Sequence, residues 1–263
     1  IVIIGYKAQK KSSLTAAVSV ISDKKLQDSN TPSVSGLLQG KAAGVQILPG
    51  GGSAGSVATV KIRGTSTING PSSALWVVDG VVMPYAPNLD PNQIESINIL
   101  KDAASTALYG SKAANGIVQV FTKSGNSGKG TLSVSLNNSF NVFNNGRFKL
   151  MNGTQLYDYF TSLKDAPEIP GTLRNDGYNW LKDGTQTGAV QSYTIDFKGG
   201  SDHSKTYISG NYYNETGTVK GDEYNRLSFR INHEQTIKPW LILKPKVSLS
   251  YTTGKDTQAS LYQ

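Results

Sequence analysis

Residues 131–142 read TLSVSLNNSFNV. Leu132, Val134, Leu136, Phe140 and Val142 fall on one side of an extended chain, and Ser133, Ser135, Asn137, Ser139 and Asn141 on the other. Successive side chains of a strand point to opposite faces, so this stretch is a ribbon with one apolar and one polar face. The alternation returns downstream. Over 224–234, Leu227, Phe229 and Ile231 oppose Arg226, Ser228, Arg230 and Asn232; over 241–251, Leu241, Leu243, Val247, Leu249 and Tyr251 oppose Lys244, Lys246, Ser248 and Ser250. Two less regular runs, at Tyr193, Ile195 and Phe197 and over 207–213, bring the count to five strands. Strands of about ten residues with this period suit a transmembrane barrel wall around a wet interior. They also suit an ordinary antiparallel sheet with one face on a core. The barrel reading turns Leu132, Val134, Leu227, Phe229, Leu241 and Leu249 outward; the other buries them.

The connections bear on that choice. The first, 143–189, is long and carries a helical pattern over 154–164; 199–204 is short, 215–223 intermediate and 236–239 short. Barrels alternate long outer loops with short inner turns in this way. Tyr193, Tyr212, Tyr213, Tyr224, Trp240 and Tyr251 sit near strand ends, as in an interfacial aromatic girdle. Five strands cannot close even the smallest barrel, which needs about eight, so the wall reading leaves most of a barrel outside this chain.

Before 125 the grammar differs. Thr31-Pro32 and Asp90-Pro91 read as helix starts, with Gln93 at capping-box spacing from Asp90. Asp102 reads as the cap of a short helix over 103–109, closed by Gly110. Between these lie strand-like runs at 57–62, 75–78 and 117–122; Leu75-Trp76-Val77-Val78 is apolar without alternation, as in a strand buried on both faces. This half reads as a compact α+β domain, joined to the ribbons through SGNSGKG at 124–130, a linker by composition.

Composition narrows the function classes. With no Cys, a disulfide scaffold, a thiolate metal site and a catalytic thiol are excluded. No apolar run reaches the ~18 residues of a spanning helix. The net charge of +8 is dispersed, and without a run of five like charges no nucleic-acid tail is indicated. The chain begins without Met or a signal peptide and reads as a processed chain or an excerpt. Gly50, Gly52 and Gly55 match G-x-G-x-x-G, but 56–62 reads as strand and no acid lies between Asp28 and Asp79, so a turn is the reading, not a dinucleotide site. His203 and His233 are too far apart in sequence for a metal motif, and no G-x-S-x-G elbow occurs. Asp79 before Gly80 reads as a turn, Glu95 as a helix-face charge and Asp102 as a cap. No catalytic residue, metal ligand or cofactor site is expected.

One ordered set of motifs remains. Ile62-Arg63-Gly64, Leu75-Trp76-Val77-Val78-Asp79-Gly80, Ile94-Glu95-Ser96-Ile97-Asn98-Ile99-Leu100-Lys101-Asp102-Ala103, Ala107-Leu108-Tyr109-Gly110-Ser111 and Ala114-Asn115-Gly116 follow one another. Together they resemble the plug domain of TonB-dependent outer-membrane transporters, and most closely the SusC/RagA family. Leu38-Gln39-Gly40-Lys41 and Ala43-Gly44-Val45-Gln46 resemble that family's first plug segment, and 222–232 and 240–251 its early barrel strands. Lys112-Ala113 departs from the family's Arg-Gly and loses the planar fork of an arginine.

The resemblance implies a fold and a mechanism. The fold is an α+β plug domain followed by antiparallel transmembrane β-barrel strands, of which the family has 22 around a plugged lumen. Residues 1–10 would be a TonB-box-like segment, 11–125 the plug, and 126–263 the first five strands, with a helical loop at about 144–189. Ile1, Val2, Ile3, Ile4 and Gly5 lie where TonB grips the family, and a short β-branched segment suits addition to a sheet edge. Arg63, Gly64, Asp79, Gly80, Lys101, Asp102, Tyr109, Gly110, Asn115 and Gly116 would carry the plug's structural motif, with Arg63 pairing with barrel-wall acids or plug carbonyls. The implied partners are TonB, a SusD-like surface lipoprotein and outer-membrane lipid, with no nucleic acid, in a dimer of transporter–lipoprotein pairs. The implied role is import of oligosaccharides or peptides across the bacterial outer membrane, with the plug facing the periplasm. A soluble or surface β-rich carbohydrate-binding or adhesion module is the alternative.

Overall fold

A computed structural model describes residues 2–4, 7–9, 18–23, 26, 33–62, 64, 72–102, 106–147, 149–163, 171 and 180–256. The expected helix start at Thr31-Pro32, together with Ile1, Gly5 and Arg63, lies outside the described residues. Two short strands, β1 (Val2–Ile4) and β2 (Lys7–Gln9), pair antiparallel. The N-terminal domain is built on β3 (Val18–Ser22), a hairpin of β4 (Val45–Leu48) and β5 (Thr59–Ile62), then β6 (Leu75–Val78), β7 (Val81–Met83), β8 (Ile94–Leu100) and β9 (Ile117–Thr122). Five of these form one mixed sheet in the order β3-β8-β9-β6-β7, and only the β6–β9 pair is parallel.

This sheet is covered on both faces. Trp76, Val78, Ile97, Ile99, Val118 and Val120 pack with Leu37, Leu38, Val60 and Ile62 on one side. Leu75, Val77, Leu100 and Ile117 pack with Ala113 and the half-buried Tyr109 on the other. Two-sided burial explains the non-alternating apolar runs of β6 and β9. Asp79-Gly80 links β6 to β7 as a two-residue hairpin with φ of 50° and 92°, the left-handed geometry that Asp-Gly supplies at least cost. Gly116 has φ 86°, and a Cβ there would come within 2.8 Å of Ile62 Cδ1; only glycine combines that turn with so close an approach.

One expectation fails here. Asp90-Pro91 starts only a 3-10 turn, Pro91–Gln93, after which the chain enters β8. Glu95 is therefore an exposed strand residue, not a helix-face charge. The alternation of buried Ile97 and Ile99 against the β3 and β9 neighbours outweighs the helix-start signal. Of the helix expected over 103–109, residues 106–109 are described, and they end in a 3-10 turn, Ala107–Tyr109.

The second half is a meander of long antiparallel strands: β10 (Gly128–Asn141), β11 (Gly188–Gly200), β12 (Ser204–Thr216), β13 (Glu223–Lys238), β14 (Leu241–Leu243) and β15 (Lys246–Lys255). β10 starts inside the expected linker, and the strand expected over 241–251 is divided at Lys244-Pro245. Pro245 has no N–H to give, yet its carbonyl accepts from His233 N at 3.0 Å, so both pieces stay paired with β13. The long connection holds α1 (Gly153–Ser162), started by an Asn152–Gln155 capping box, and the short α2 (Trp180–Gly184). Leu132, Val134, Leu227, Phe229 and Leu249 stand exposed on one face, Leu132 by 64%, and Leu241 is half-buried. The opposite face of β11–β13 packs on the N-terminal domain.

Truncating the centre of the mixed sheet tests this core. Ile97→Ala should lower the stability of the N-terminal domain by about 2–5 kcal/mol, read as a drop in the denaturant midpoint of Trp76 fluorescence.

Candidate functional site

The groups that meet between the domain and the sheet come from chain connections. β6 and β9 are parallel neighbours, so their C-terminal ends lie side by side, with Asp79 N donating to Val120 O at 2.9 Å. Asp79 accepts from Thr122 N at 3.1 Å and Thr122 Oγ1 at 2.6 Å. The carboxylate also faces the sheet, 2.9 Å from Lys246 Nζ and 3.9 Å from Arg230 Nη1. Asp79 is thus more than a turn residue: it joins the two layers by charge. Beside it, Asn232 Nδ2 donates to Thr122 Oγ1 at 2.9 Å and Lys123 O at 2.7 Å.

A second cluster forms at the 3-10 turn. Asp90 caps it, accepting from Asn92 N at 3.1 Å, and takes a bond from Thr194 Oγ1 at 2.9 Å. Arg226 donates to Asn88 Oδ1 at 2.8 Å and Leu89 O at 3.4 Å. Arg230 Nε donates to Gln93 Oε1 at 3.3 Å. Arg226 and Arg230 are 2% and 4% exposed, so both guanidinium groups are held by protein groups of the two layers, Arg230 Nη2 also donating to Ser248 Oγ of the wall at 3.0 Å. Burial pushes the Asp90 carboxyl above its ordinary value of 3.8, against the bonds from Asn92 and Thr194 and the nearby Arg226, which pull it down.

A third contact uses the glycine-rich loop. Ala54 N donates to Asp222 Oδ2 at 2.8 Å, and Gly55 N to Glu215 Oε2 at 2.9 Å. Successive amides with Gly55 at φ 69° make an anion-binding concavity, filled here by the sheet's own carboxylates. A Cβ on Gly55 would lie 2.2 Å from the Tyr224 ring. The G-x-G-x-x-G spacing is therefore a docking turn between β4 and β5.

Most of the motif residues lie elsewhere. Lys101 Nζ donates to Ser19 Oγ at 2.9 Å and to Ala43 O. The Asp102 carbonyl accepts from Thr106 N, Tyr109 packs on the small cluster under the mixed sheet, and Gly110 turns between two 3-10 segments at φ 69°. Gly64 follows β5 at φ 83°, Asn115 is half-buried, and Gly116 supports Ile62. Among the described residues of that set, Asp79 contacts the wall. The ion pairs of Asp79 with Arg230 and Lys246 put an acid on the domain and cations on the wall; the pairing expected of Arg63 lies outside the described residues. Arg226, Arg230 and Asn232 carry the seam from the wall side, and their signal was two arginines four residues apart on the polar side of one strand.

A globule fastened by polar bonds to the inner face of a sheet whose outer face is apolar defines a stoppered β-barrel wall. Residues 10–117 match the TonB-dependent Receptor Plug Domain family. TonB-dependent receptor P3 of Formosa agariphila is 37% identical over 259 residues, 98% of this chain and 25% of that protein. TonB-dependent receptor SusC of Bacteroides thetaiotaomicron is 29% identical over 272 residues, 98% of this chain and 26% of that protein. The structure of the RagAB peptide importer in its open-open state superposes with a TM-score of 0.84 at 26% identity, covering 98% of this chain and 33% of that one. The chain belongs to the SusC/RagA family of TonB-dependent receptors, as its plug domain and first barrel strands. It spans about a quarter of the length of the curated relatives it matches.

The two plug acids of the seam, Asp79 and Asp90, should respond differently to neutralisation. Asp79→Asn leaves the buried Arg230 without its counter-charge and should cost about 3–5 kcal/mol in plug stability. Asp90→Asn keeps an acceptor for Asn92 N and removes a carboxylate that burial disfavours, so it should cost less than about 1 kcal/mol. The raised Asp90 value implies stabilisation that is complete below pH 3.8 and lost as pH rises through the folded value. Denaturant titrations across pH should show that loss in the parent protein and not in Asp90→Asn.

Proposed function

We propose that this chain supplies the plug and opening strands of an importer that brings large nutrients, oligosaccharides or peptides, across the bacterial outer membrane without altering them chemically. The observation that carries the reading is the seam. Wall residues Thr194, Ser209, Asn211, Arg226, Ser228, Arg230 and Asn232 are all buried on the plug side, while Leu132, Val134, Ile195, Leu227, Phe229 and Leu249 on the alternate positions stand exposed. A lipid-facing wall requires that arrangement, and a soluble sandwich would bury the apolar face instead. Residues 1–10 act as the docking segment, 11–125 as the plug and 126–263 as the first strands.

In this reading the plug faces the periplasm and TonB adds to the Ile1, Val2, Ile3, Ile4, Gly5 segment as a strand. The pairing of β1 with β2 supports it, because Val2, Ile3 and Ile4 already hold an extended backbone with one edge occupied. A SusD-like lipoprotein captures cargo over the long loops, and two such pairs assemble as a dimer. Import by the RagAB neighbour of peptides supports peptide cargo, and kinship with SusC supports the lipoprotein partner.

Deleting Ile1 to Gly5 from the whole transporter should abolish energised uptake while the barrel still fractionates with the outer membrane. Unchanged uptake rejects the docking role, and recovery of the protein in the soluble periplasm rejects import.

A further inference from the structure

The wall face hidden by the plug carries a column of cations. Arg226 and Arg230 lie on the same side of β13. Register sets Lys246 opposite Asn232 and Lys205 opposite Glu234. Lys244 Nζ reaches Glu234 Oε2 at 2.8 Å and Lys205 Nζ reaches Glu234 Oε1 at 3.5 Å. The eight-residue step from Arg226 to Glu234 is about 27 Å of strand, nearly the thickness of a hydrocarbon core. Five cations therefore run from the long-loop half of the wall to its short-turn end, with Glu234 as the acid among them. Two other wall acids, Glu215 and Asp222, are turned to the amides of Gly55 and Ala54. Asp196 stands two strands away, on β11.

Plug groups meet the upper part of this column, while the side chains of Lys205, Lys244 and Lys246 stay partly exposed at its lower end. Asn88 and Leu89 hold Arg226, Gln93 holds Arg230, and Asp79 faces both Arg230 and Lys246. At its short-turn end the column opens into a cavity of about 400 Å³, where Lys205, Lys244 and Lys246 face the acids Asp79, Glu95 and Glu234. Asn98 Oδ1 and Asn232 Oδ1 are buried there without a hydrogen-bond partner, and buried polar atoms of this kind call for water or a polar ligand.

We infer that the plug conceals a cationic track along β13 and β15, which conducts oligomers bearing carboxylates once Asp79 withdraws. It rests on the import reading in one respect: the plug must move. Withdrawal of Asp79 leaves Arg230 and Lys246 without their shared counter-charge. A passing carboxylate supplies that charge, and the arginine forks bind it in the planar, two-bond manner suited to carboxylates. Spaced sites of this kind let a chain of anions step from one to the next.

The test uses the whole transporter in planar bilayers, with urea added to loosen the plug and no energy source. Oligogalacturonate and oligoglutamate are compared with a neutral oligosaccharide of equal length as blockers of the current. Either anionic oligomer should block at concentrations roughly tenfold below the neutral one. In the combined variant Arg226→Gln, Arg230→Gln and Lys246→Gln that difference should vanish, and the chloride-over-potassium permeability ratio should fall by about half or more. Arg226→Lys with Arg230→Lys should retain the preference. Equal block by charged and neutral oligomers in the parent protein overturns the track, and that comparison decides even where the triple variant does not assemble. A parent protein that passes this test yet supports no TonB-energised uptake in cells would sink the import reading alone.

Discussion

The structure depends on a salt link that crosses from the plug to the wall: Asp79 with Lys246 and Arg230. Under the import proposed above, the plug has to fill a pore firmly and still be able to leave it. Apolar packing across the seam would meet the first requirement and defeat the second, because separation would expose oily surface to a wet lumen. Hydrogen bonds and ion pairs meet both. Each is worth about 0.5–1.5 kcal/mol net, since water replaces the lost partner. Many of them hold the plug in place, and they could be exchanged for water bond by bond if it moved as proposed. Most of the apolar free energy is kept within each layer instead, in the two clusters on the mixed sheet and on the wall's outer surface, with the rings of Tyr207 and Tyr213 the buried aromatic exceptions on the inner side of the wall.

The parts of the chain that could be read from sequence are those whose pattern follows from their own surroundings. β6 and β9 announce themselves because burial on both faces leaves only apolar choices at most positions. The wall strands announce themselves because two different solvents meet their two faces. β8 was obscured because Asp90-Pro91 and Gln93 mimic a helix start, and Ile94, Ile97 and Leu100 fall at helical spacing as well as in a strand. The division at Lys244-Pro245 was hidden because alternation continues on both sides of it.

The seam itself was largely illegible, for a physical reason. Arg230 meets Gln93 across 137 residues of chain, and Asn232 meets Thr122 across 110. Alternation shows that a side chain faces inward; it does not show what waits there. Asp79 illustrates the limit. Its place before Gly80 accounts fully for a hairpin turn, and nothing local distinguishes a carboxylate that only turns the chain from one that also binds two cations. The glycine-rich loop is the converse case. Its spacing mimics a phosphate cradle, and its amides do hold anions, but the anions are Glu215 and Asp222 of the same chain.

Tension applied at the N-terminus would meet these interactions in order of strength. The β1–β2 pair is a two-stranded hairpin of three residue pairs, marginal by itself in water. Next comes β3, an edge strand with a single neighbour, held by five residue pairs to β8 and by Ile21 in the core. Beyond β3 lies a choice between the mixed-sheet core and the polar seam. The core gains by burying Trp76, Ile97, Ile99, Val118 and Val120, which only global unfolding would expose. The seam can open by local exchange with water. A pull that removes β3 therefore finds the seam the weaker of the two remaining links, and release along β13 precedes loss of the β6–β9 pair. The direction of that yielding follows from where each half of the molecule keeps its apolar surface.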